Sequence, residues 1–325
     1  MIHRYQKKGL NFVLDVNSGA VHLLDDISYA VSGLIDENMT EACPESIVEA
    51  LPQYSADDVR EAYGELYELK KAGQLFAEDD YIDVSRYIPV GAPVKALCLH
   101  VAHDCNLRCK YCFASTGDFG QGRKIMPPEV AKKAIDFVIA RSGKRRNIEV
   151  DFFGGEPLMA WDTVTQTVDY ARSIEEQHGK KFRFTITTNG LLLDEDKRKY
   201  INENMDNCVL SLDGRREVND EFRKTIAGTG SYDTIVPKFK ALVDERDPNL
   251  DYYARGTFTS HNLDFAEDVL SIADAGFDRL SVEPVTADPG CGYDLTEDDL
   301  PKIEAEYDRL TDIMLERKKA GKPFT

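Results

Sequence analysis

The run HDCNLRCKYCFAS, residues 103–115, places three cysteines on one short segment, at Cys105, Cys109 and Cys112, with the spacing C-x₃-C-x₂-C. Three thiolates on one loop can hold three irons of a 4Fe–4S cluster and leave the fourth iron without a protein ligand. An electron-transfer cluster takes four cysteines instead. An open coordination position indicates chemistry at the metal. The alternative is a three-cysteine zinc site completed by His103 or another residue.

The sequence around this run alternates between apolar strand-like stretches and amphipathic helical stretches. The strands that we predict are residues 96–101, 148–153, 182–187, 208–212, 252–258 and 279–285. The helices that we predict are residues 128–141, 163–177, 194–203, 234–245, 264–275 and 297–319. Six β-then-α units imply a parallel sheet with right-handed crossovers, as a closed or partial barrel. Active sites of such barrels lie at the carboxyl ends of the strands, where the cysteine loop falls.

A second motif, DFFGGEP at residues 151–157, ends the second predicted strand. Adjacent glycines, here Gly154 and Gly155, let a backbone approach a ligand closely. Glu156 adds an acceptor for an ammonium group. A glycine pair at the end of a strand can also be an ordinary turn, so the motif gains weight from its position one βα unit after the cysteines.

Polar residues also follow the third and fourth predicted strands, in TITTNG (185–190) and LSLDG (210–214). Asn189, Ser211 and Asp213 belong to these segments, although Asn-Gly and Asp-Gly are common turn formers as well. Arg223 follows in VNDEFRK (218–224), and arginine suits a carboxylate through bidentate contact. A surface arginine is the alternative interpretation.

Four further residues stand out. Arg255 and Glu283 lie in the fifth and sixth predicted strands and are candidates for lining the site. Cys98, in an apolar strand, is expected to be a small core residue. Cys291 lies in a glycine-flanked loop and is expected to be exposed.

The cysteine motif followed by Gly-Gly-Glu resembles the radical S-adenosylmethionine (SAM) superfamily. The resemblance implies that Cys105, Cys109 and Cys112 bind a 4Fe–4S cluster whose open iron chelates SAM. A reduced cluster then cleaves SAM to methionine and a 5′-deoxyadenosyl radical. The residues that it implies for SAM binding are Gly154, Gly155 and Glu156 (the amino group), Ser211 (the ribose), Asn189 (the adenosyl group), Phe113 (the adenine), Arg223 (the carboxylate), and Asp213, which has no particular group of SAM assigned to it.

Residues 1–78 read as a separate small domain of mixed α and β structure. We predict strands at 3–6, 11–16 and 20–25 and helices at 28–36, 44–51 and 55–72. The arrangement is similar to a winged-helix module and resembles the leader-peptide recognition element of peptide-modifying radical SAM maturases. Residues 79–94, with two prolines and an acidic cluster, are expected to be a linker. Residues 95–325 are expected to form the partial (βα)6 barrel.

The whole chain resembles most the SPASM-type maturases that install thioether crosslinks in six-cysteine precursor peptides (SCIFF maturases). This resemblance implies a cysteine-rich precursor peptide held through its leader, and an electron donor of the flavodoxin or ferredoxin type. Such maturases carry auxiliary 4Fe–4S clusters in a C-terminal domain, whereas no cysteine follows Cys291 here. We therefore expect a truncated sequence. The alternatives are a sulfatase-type (formylglycine) maturase and a non-catalytic Fe–S or peptide-binding scaffold.

Composition excludes several other classes. The formal net charge of −18 disfavours nucleic acid as a partner. No apolar run approaches the length of a membrane span, and the first residues lack the apolar core of a signal peptide. Seven cysteines, three of them in a metal-like loop, indicate a reducing compartment, so we expect a cytoplasmic protein.

Overall fold

The computed structural model describes residues 1–79 and 91–325, which divide into two compact units, Met1–Ala92 and Pro93–Thr325. Most of the predicted linker, residues 80–90, lies outside the described residues. None of the helices in the described ranges is both long and apolar enough to cross a lipid bilayer.

The first unit is an antiparallel three-stranded sheet with three helices. Its strands are β1 (Ile2–Lys7), β2 (Leu10–Asp15) and β3 (Val21–Leu24), in the order β1-β2-β3. Its helices are Asp26–Ser32, Glu45–Ala50 and Ala56–Lys71.

The helix Ala56–Lys71 is defined by signals at its two ends and by one apolar face that is buried in the core of this unit. It begins where the Ser55 side chain accepts a hydrogen bond of 3.2 Å from the backbone N–H of Asp58, and it is followed by Gly73 at a φ of +69°. One face of the helix is buried together with residues of β2 and of the first helix. The residues of this small core with the least exposure are Val13, Val31, Val59, Tyr63, Leu66 and Leu75.

The second unit contains a seven-stranded sheet in the order β12-β11-β9-β8-β7-β4-β6. Six strands are parallel, and each lies within two residues of its predicted bounds: β4 (Ala96–His103), β7 (Asn147–Gly154), β8 (Lys181–Thr188), β9 (Asn207–Ser211), β11 (Asp251–Phe258) and β12 (Leu280–Pro284). The short strand β6 (Lys124–Ile125) pairs antiparallel with β4 at one edge. The predicted fold class, an α/β partial barrel preceded by a small α+β domain, is confirmed.

Helices cover the outer face of this sheet. They are Pro128–Arg141, Trp161–Glu175, Glu195–Asn204, Tyr232–Asp244, Phe265–Asp274 and Leu300–Lys319. Side chains alternate along each strand, so on β8 Phe182, Phe184 and Ile186 are buried in the core under the helices. Thr185 and Thr187 lie on the opposite, concave face, which we call the inner face. The core therefore sits between strands and helices, and the inner face is left for a site.

A short antiparallel ribbon was not predicted. It pairs β5 (Leu107–Cys109), inside the cysteine run, with β10 (Arg223–Thr225), which follows the helix Arg216–Phe222. In its register Arg223 lies opposite Cys109, and Lys110 N donates to Phe222 O at 3.1 Å. Three-residue strands carry too little alternation to be recognised in a sequence. The ribbon nevertheless fixes Arg223 beside the cysteine loop.

Gly154 and Gly155 bring the end of β7 against the backbone that enters the cysteine loop. Gly155 N donates to Ala102 O at 2.7 Å, and Glu156 N donates to Asp104 O at 2.9 Å. A Cβ atom on Gly154 would lie 2.4 Å from Ala102 O, and one on Gly155 would lie 2.2 Å from Asp104 O. The close approach that the sequence suggested for a ligand is therefore made, at these two positions, by another stretch of backbone.

Replacing Gly155 by alanine should displace the cysteine loop while the unit stays folded, because the added methyl group meets the rigid carbonyl of Asp104. We expect Gly155→Ala to lose most of its iron and sulfide after anaerobic reconstitution, with an unchanged far-ultraviolet circular dichroism spectrum. Gly64→Ala is the matched control, since no atom lies within 4 Å of its added Cβ. Equal iron contents in the two variants would contradict this account.

Candidate cofactor-binding site

A cavity of about 360 Å³ opens at the carboxyl ends of the parallel strands. It brings together ten of the eleven site residues predicted from the sequence: Cys105, Cys109, Cys112, Phe113, Gly154, Gly155, Glu156, Asn189, Ser211 and Arg223. Asp213 does not line it. The three cysteines of one loop therefore face the motif that ends β7 and the residues that follow β8 and β9.

The cysteine loop is held in shape by its own backbone carbonyl groups. Arg108 Nη1 donates to Cys105 O and to Leu107 O, both at 2.6 Å. Leu107 N donates to Cys105 Sγ at 3.4 Å. Gly117, at a φ of +89°, packs so closely that an added Cβ would lie 2.5 Å from Cys105 Cβ. Sequence reasoning missed Arg108, which lies within the run that it singled out, and Gly117, which lies two residues beyond it.

The thiols are buried, and this affects their ionisation. Burial raises the pKa of Cys105 to about 11 and the pKa of Cys109 to about 12. Metal ligation requires the thiolate, so iron must displace protons when it binds to these residues.

The donor set fits a multi-iron cluster better than a single zinc ion. Three thiols border one cavity, whereas the described residues include no group of three or more His, Cys, Asp or Glu side chains placed to hold one metal ion. His103, one of the residues that could complete a zinc site, packs against the ring of Phe119, with ring centroids 4.9 Å apart.

Glu156 is 1% exposed and joins two strands through its carboxylate. Its Oε1 accepts from Leu158 N at 3.0 Å and from Thr188 Oγ1 at 2.7 Å, and its Oε2 accepts from Asn189 N at 2.8 Å. Burial raises its pKa to about 7. Glu156 therefore positions the turn after β8 in addition to lining the cavity.

Asn189 connects Glu156 to the cysteine loop through hydrogen bonds. Its side-chain Nδ2 donates to Asn106 Oδ1 at 2.8 Å and lies 3.5 Å from Cys105 Sγ. Its Oδ1 accepts from Leu191 N at 3.1 Å. The residue is 6% exposed, so it is a link between Glu156 and Cys105 as much as a wall of the cavity.

Asp213 departs from its predicted role. It is fully buried behind the cavity, where its Oδ2 lies 2.9 Å from Arg223 Nε and accepts from Tyr111 Oη at 2.5 Å. Its Oδ1 accepts from Thr257 N at 3.0 Å. Asp213 therefore holds the Arg223 side chain in place and does not itself face the cavity. Burial alone would lower the pKa of Arg223, but the Asp213 carboxylate outweighs it and holds that pKa well above its ordinary value.

The other predicted residues lie around the cavity mouth. Phe113 is 76% exposed and its ring stacks on Phe153 at 6.2 Å between centroids. Ser211 ends β9 on the inner face. Arg255 also lines the cavity, and its Nη2 lies 2.5 Å from Glu283 Oε2. Cys291 is exposed, as expected.

The buried carboxyl of Glu156 predicts a pH dependence of stability in the metal-free protein. Its pKa is about 7 in the folded chain against an ordinary value of 4.5, so the folded state keeps a proton that the unfolded state has lost. Stability should therefore fall as pH rises from about 4.5 to 7, by up to about 3 kcal/mol relative to Glu156→Gln. Urea unfolding followed by fluorescence of the single tryptophan, Trp161, measures this difference.

Glu195→Gln provides a control of opposite sign. A hydrogen bond from Lys199 lowers the pKa of Glu195, so the stability it contributes should rise with pH and, at this exposed site, should be small. A difference between wild type and Glu156→Gln that is flat from pH 4.5 to 7 would rule out the buried-carboxyl account.

Comparison with known proteins relates part of this architecture to a known family. Residues 99–253 match the Radical SAM superfamily. The chain is 30% identical over 197 residues to the radical SAM cyclopropyl synthase TigE of Paramaledivibacter caminithermalis, covering 55% of this chain and 40% of that protein. It is 30% identical over 143 residues to a cysteine-type anaerobic sulfatase-maturating enzyme of Clostridium novyi, covering 43% of this chain and 37% of that enzyme.

A solved structure, native anSMEcpe with bound AdoMet, has a TM-score of 0.62 at 21% identity, covering 72% of this chain and 63% of that one. That likeness concerns the fold. The chain spans about half or less of the length of the two curated relatives named above. Residues 99–253, which match the Radical SAM superfamily, lie in its second unit, and the radical SAM family uses a 4Fe–4S cluster and S-adenosylmethionine.

Proposed function

We propose that the chain is a radical SAM enzyme that modifies a ribosomally made precursor peptide by forming thioether crosslinks. The observation that carries the radical chemistry is one cavity bordered by three cysteine thiols on one side. The Gly154–Glu156 motif, Ser211 and Arg223 lie on its other sides.

Each side of the cavity then has a role. Cys105, Cys109 and Cys112 hold the cluster as thiolates, and the Gly154–Glu156 segment takes the amino group of SAM. When bound, the cluster and SAM together supply a 5′-deoxyadenosyl radical. The protein orients the reactants and keeps water away from them.

Arg223 is suited to a carboxylate of SAM. Its side chain is 11% exposed and lines the cavity, while Asp213 holds Nε from behind. A buried arginine with one carboxylate partner keeps N–H groups for a second, and a planar guanidinium binds a carboxylate with two parallel hydrogen bonds.

The radical step predicts a requirement for the loop cysteines. Cys112→Ala should abolish both the 4Fe–4S absorption after anaerobic reconstitution and the formation of 5′-deoxyadenosine from SAM with dithionite. Cys43→Ala, in the first unit, is the matched control and should retain both. Reductive cleavage of SAM by Cys112→Ala, or a stoichiometric zinc ion in place of iron, would overturn the proposal.

The first unit supports a peptide substrate. We propose residues 1–78 as a leader-recognition domain, 79–94 as a linker and 95–325 as the catalytic barrel. Strand β3 is an edge strand, and its Val21 and Leu23 are 57% and 60% exposed. His22 Nε2 lies 2.8 Å from Gln74 O, just beyond the helix Ala56–Lys71. An extended peptide can add to such an edge as a further strand.

For the product, we propose a bond between a cysteine sulfur and the α-carbon of another residue. Each crosslink would move one hydrogen atom from the α-carbon to the 5′-deoxyadenosyl radical and release the thiol proton to water. The one electron left over would return to an iron–sulfur cluster, so the peptide is oxidised by two electrons in all. An electron donor of the flavodoxin or ferredoxin type, auxiliary 4Fe–4S clusters and a cytoplasmic location belong to the same proposal. Its seven cysteines are all free thiols, which suits a reducing compartment.

A sulfatase-type maturase is the second candidate. The similarity to anaerobic sulfatase-maturating enzymes favours it, and a related solved structure contains both AdoMet and a peptide. Its product would be a formylglycine at a single cysteine or serine, so mass spectrometry of the modified peptide separates the two. A leader-binding first unit is not needed for that reaction.

Leader recognition predicts a strong effect of a charge on the β3 edge. Leu23→Asp in the full chain should weaken binding of a fluorescent leader peptide by at least about tenfold, because it places a carboxylate where the peptide's apolar side chains would pack. The probe is the leader of a cysteine-rich peptide encoded beside the gene. Leu34→Asp, at another exposed leucine of this unit, should bind as wild type does. Equal affinities in all three proteins would favour the sulfatase-type candidate.

A further inference from the structure

A row of four small side chains crosses the inner face of the barrel on the amino-terminal side of the cofactor cavity. Cys98 of β4 lies opposite Asp151 of β7, Asp151 lies opposite Thr185 of β8, and Thr185 lies opposite Asn207 of β9. We call these four residues the inner row. None of them belongs to the cluster ligands or to the Gly-Gly-Glu motif.

Strand alternation places the inner row away from the core. The neighbours of Asp151 in its strand, Val150 and Phe152, are buried under the helices, so Asp151 faces inward. Asp151 lines the cofactor cavity and also a second cavity of about 460 Å³, which Cys98 and Thr185 border. Cys98 is exposed there, which corrects its prediction as a core residue.

Two side-chain oxygens of the inner row are buried and accept no hydrogen bond from the described residues. Asp151 Oδ1 and Asn207 Oδ1 are both inaccessible and have no hydrogen-bond partner in the described parts of the chain. Buried polar atoms are nearly always paired, and each one left unpaired costs free energy. With one strand between them, the two residues are about 10 Å apart across the sheet. No single donor reaches both oxygens, and of the two residues only Asp151 borders the cavities, so Asp151 is the group that a ligand there would pair with.

The surrounding charges favour a positively charged donor. Burial raises the pKa of Asp151 to about 6, so its carboxyl is ionised at neutral pH. Two arginines of the inner face form ion pairs with carboxylates other than Asp151. Arg183 Nε lies 3.7 Å from Asp206 Oδ1, and Arg255 pairs with Glu283. Glu149, two residues before Asp151, also borders the second cavity, but it is exposed, so water screens its charge.

We propose that the inner row is a binding site for a cationic group of the substrate, an ammonium or guanidinium that pairs with the Asp151 carboxylate. The site would hold a substrate side chain that reaches past the cofactor cavity into the barrel. That the substrate is a peptide rests on the proposed function, whereas the preference for a cation does not.

The thiol of Cys98 makes the proposal measurable without turnover. The probes are 2-aminoethyl methanethiosulfonate, which is cationic, and 2-sulfonatoethyl methanethiosulfonate, which is anionic. Their rates of reaction at Cys98 are read from the peptide 96–108 by tandem mass spectrometry, on anaerobic holoprotein. The ratio of the two rates, divided by the ratio for a free thiol, cancels any change in thiol ionisation.

We expect this ratio to favour the cation at Cys98 by at least about tenfold, equal to about 1.4 kcal/mol. Asp151→Asn should bring it to that of a free thiol, whereas Glu149→Gln should leave it within about twofold, because an exposed charge is screened by water. No cation preference in wild type would overturn the proposal, as would an equal loss in the two variants.

A second measurement uses the unaltered protein in case Asp151→Asn does not fold. Millimolar n-butylammonium should slow alkylation of Cys98 by the neutral reagent iodoacetamide, and n-butanol should not. Equal protection by both compounds would show an apolar site and would overturn the proposal. Neither measurement involves SAM cleavage, so a negative result here leaves the radical chemistry in place, and loss of that chemistry leaves this result in place.

Discussion

The buried carboxylate of Glu156 is the interaction on which the candidate site depends. It accepts hydrogen bonds from the turn that follows β7 and from the end of β8, and Asn189 continues the connection to Asn106 and Cys105. Three βα loops are thereby fixed relative to one another before any cofactor binds. A site held in advance in this way loses less entropy when its ligand arrives.

A buried ion pair on the other side of the cavity completes this preorganisation. Asp213 has no exposure, so leaving its charge without Arg223 would cost several kcal/mol. Such a pair contributes little to net stability, because the desolvation of both charges offsets their attraction. The pair matters because it fixes a position. The guanidinium of Arg223 is held at the cavity by the β5–β10 ribbon and by Asp213, which also accepts a hydrogen bond from the Tyr111 hydroxyl.

The repeating pattern of the sequence predicted the strands of the barrel closely, because each is an apolar run bounded by turn residues and followed by an amphipathic helix. The site residues were predicted because strand order places every carboxyl end on one rim. Asp213 could not be assigned correctly, since a turn-forming Asp-Gly pair looks the same whether its carboxylate faces a cavity or a buried arginine. The ribbon was missed because pairing between three-residue strands depends on tertiary position. Cys98 was misplaced because β4 carries apolar residues on both faces, which hides the alternation.

The sheet of the barrel ends at β6 on one side and at β12 on the other, and within the described residues these two strands do not pair. A closed ring would admit only a free chain end or a compact molecule through its top. A sheet whose two edge strands stay unpaired leaves a lateral slot between them. A loop in the middle of a long polypeptide can enter through such a slot and leave again with both of its flanks still outside. Several positions of one polypeptide could thus reach the cavity one after another without a chain end having to pass through the barrel. A closed barrel would not allow this.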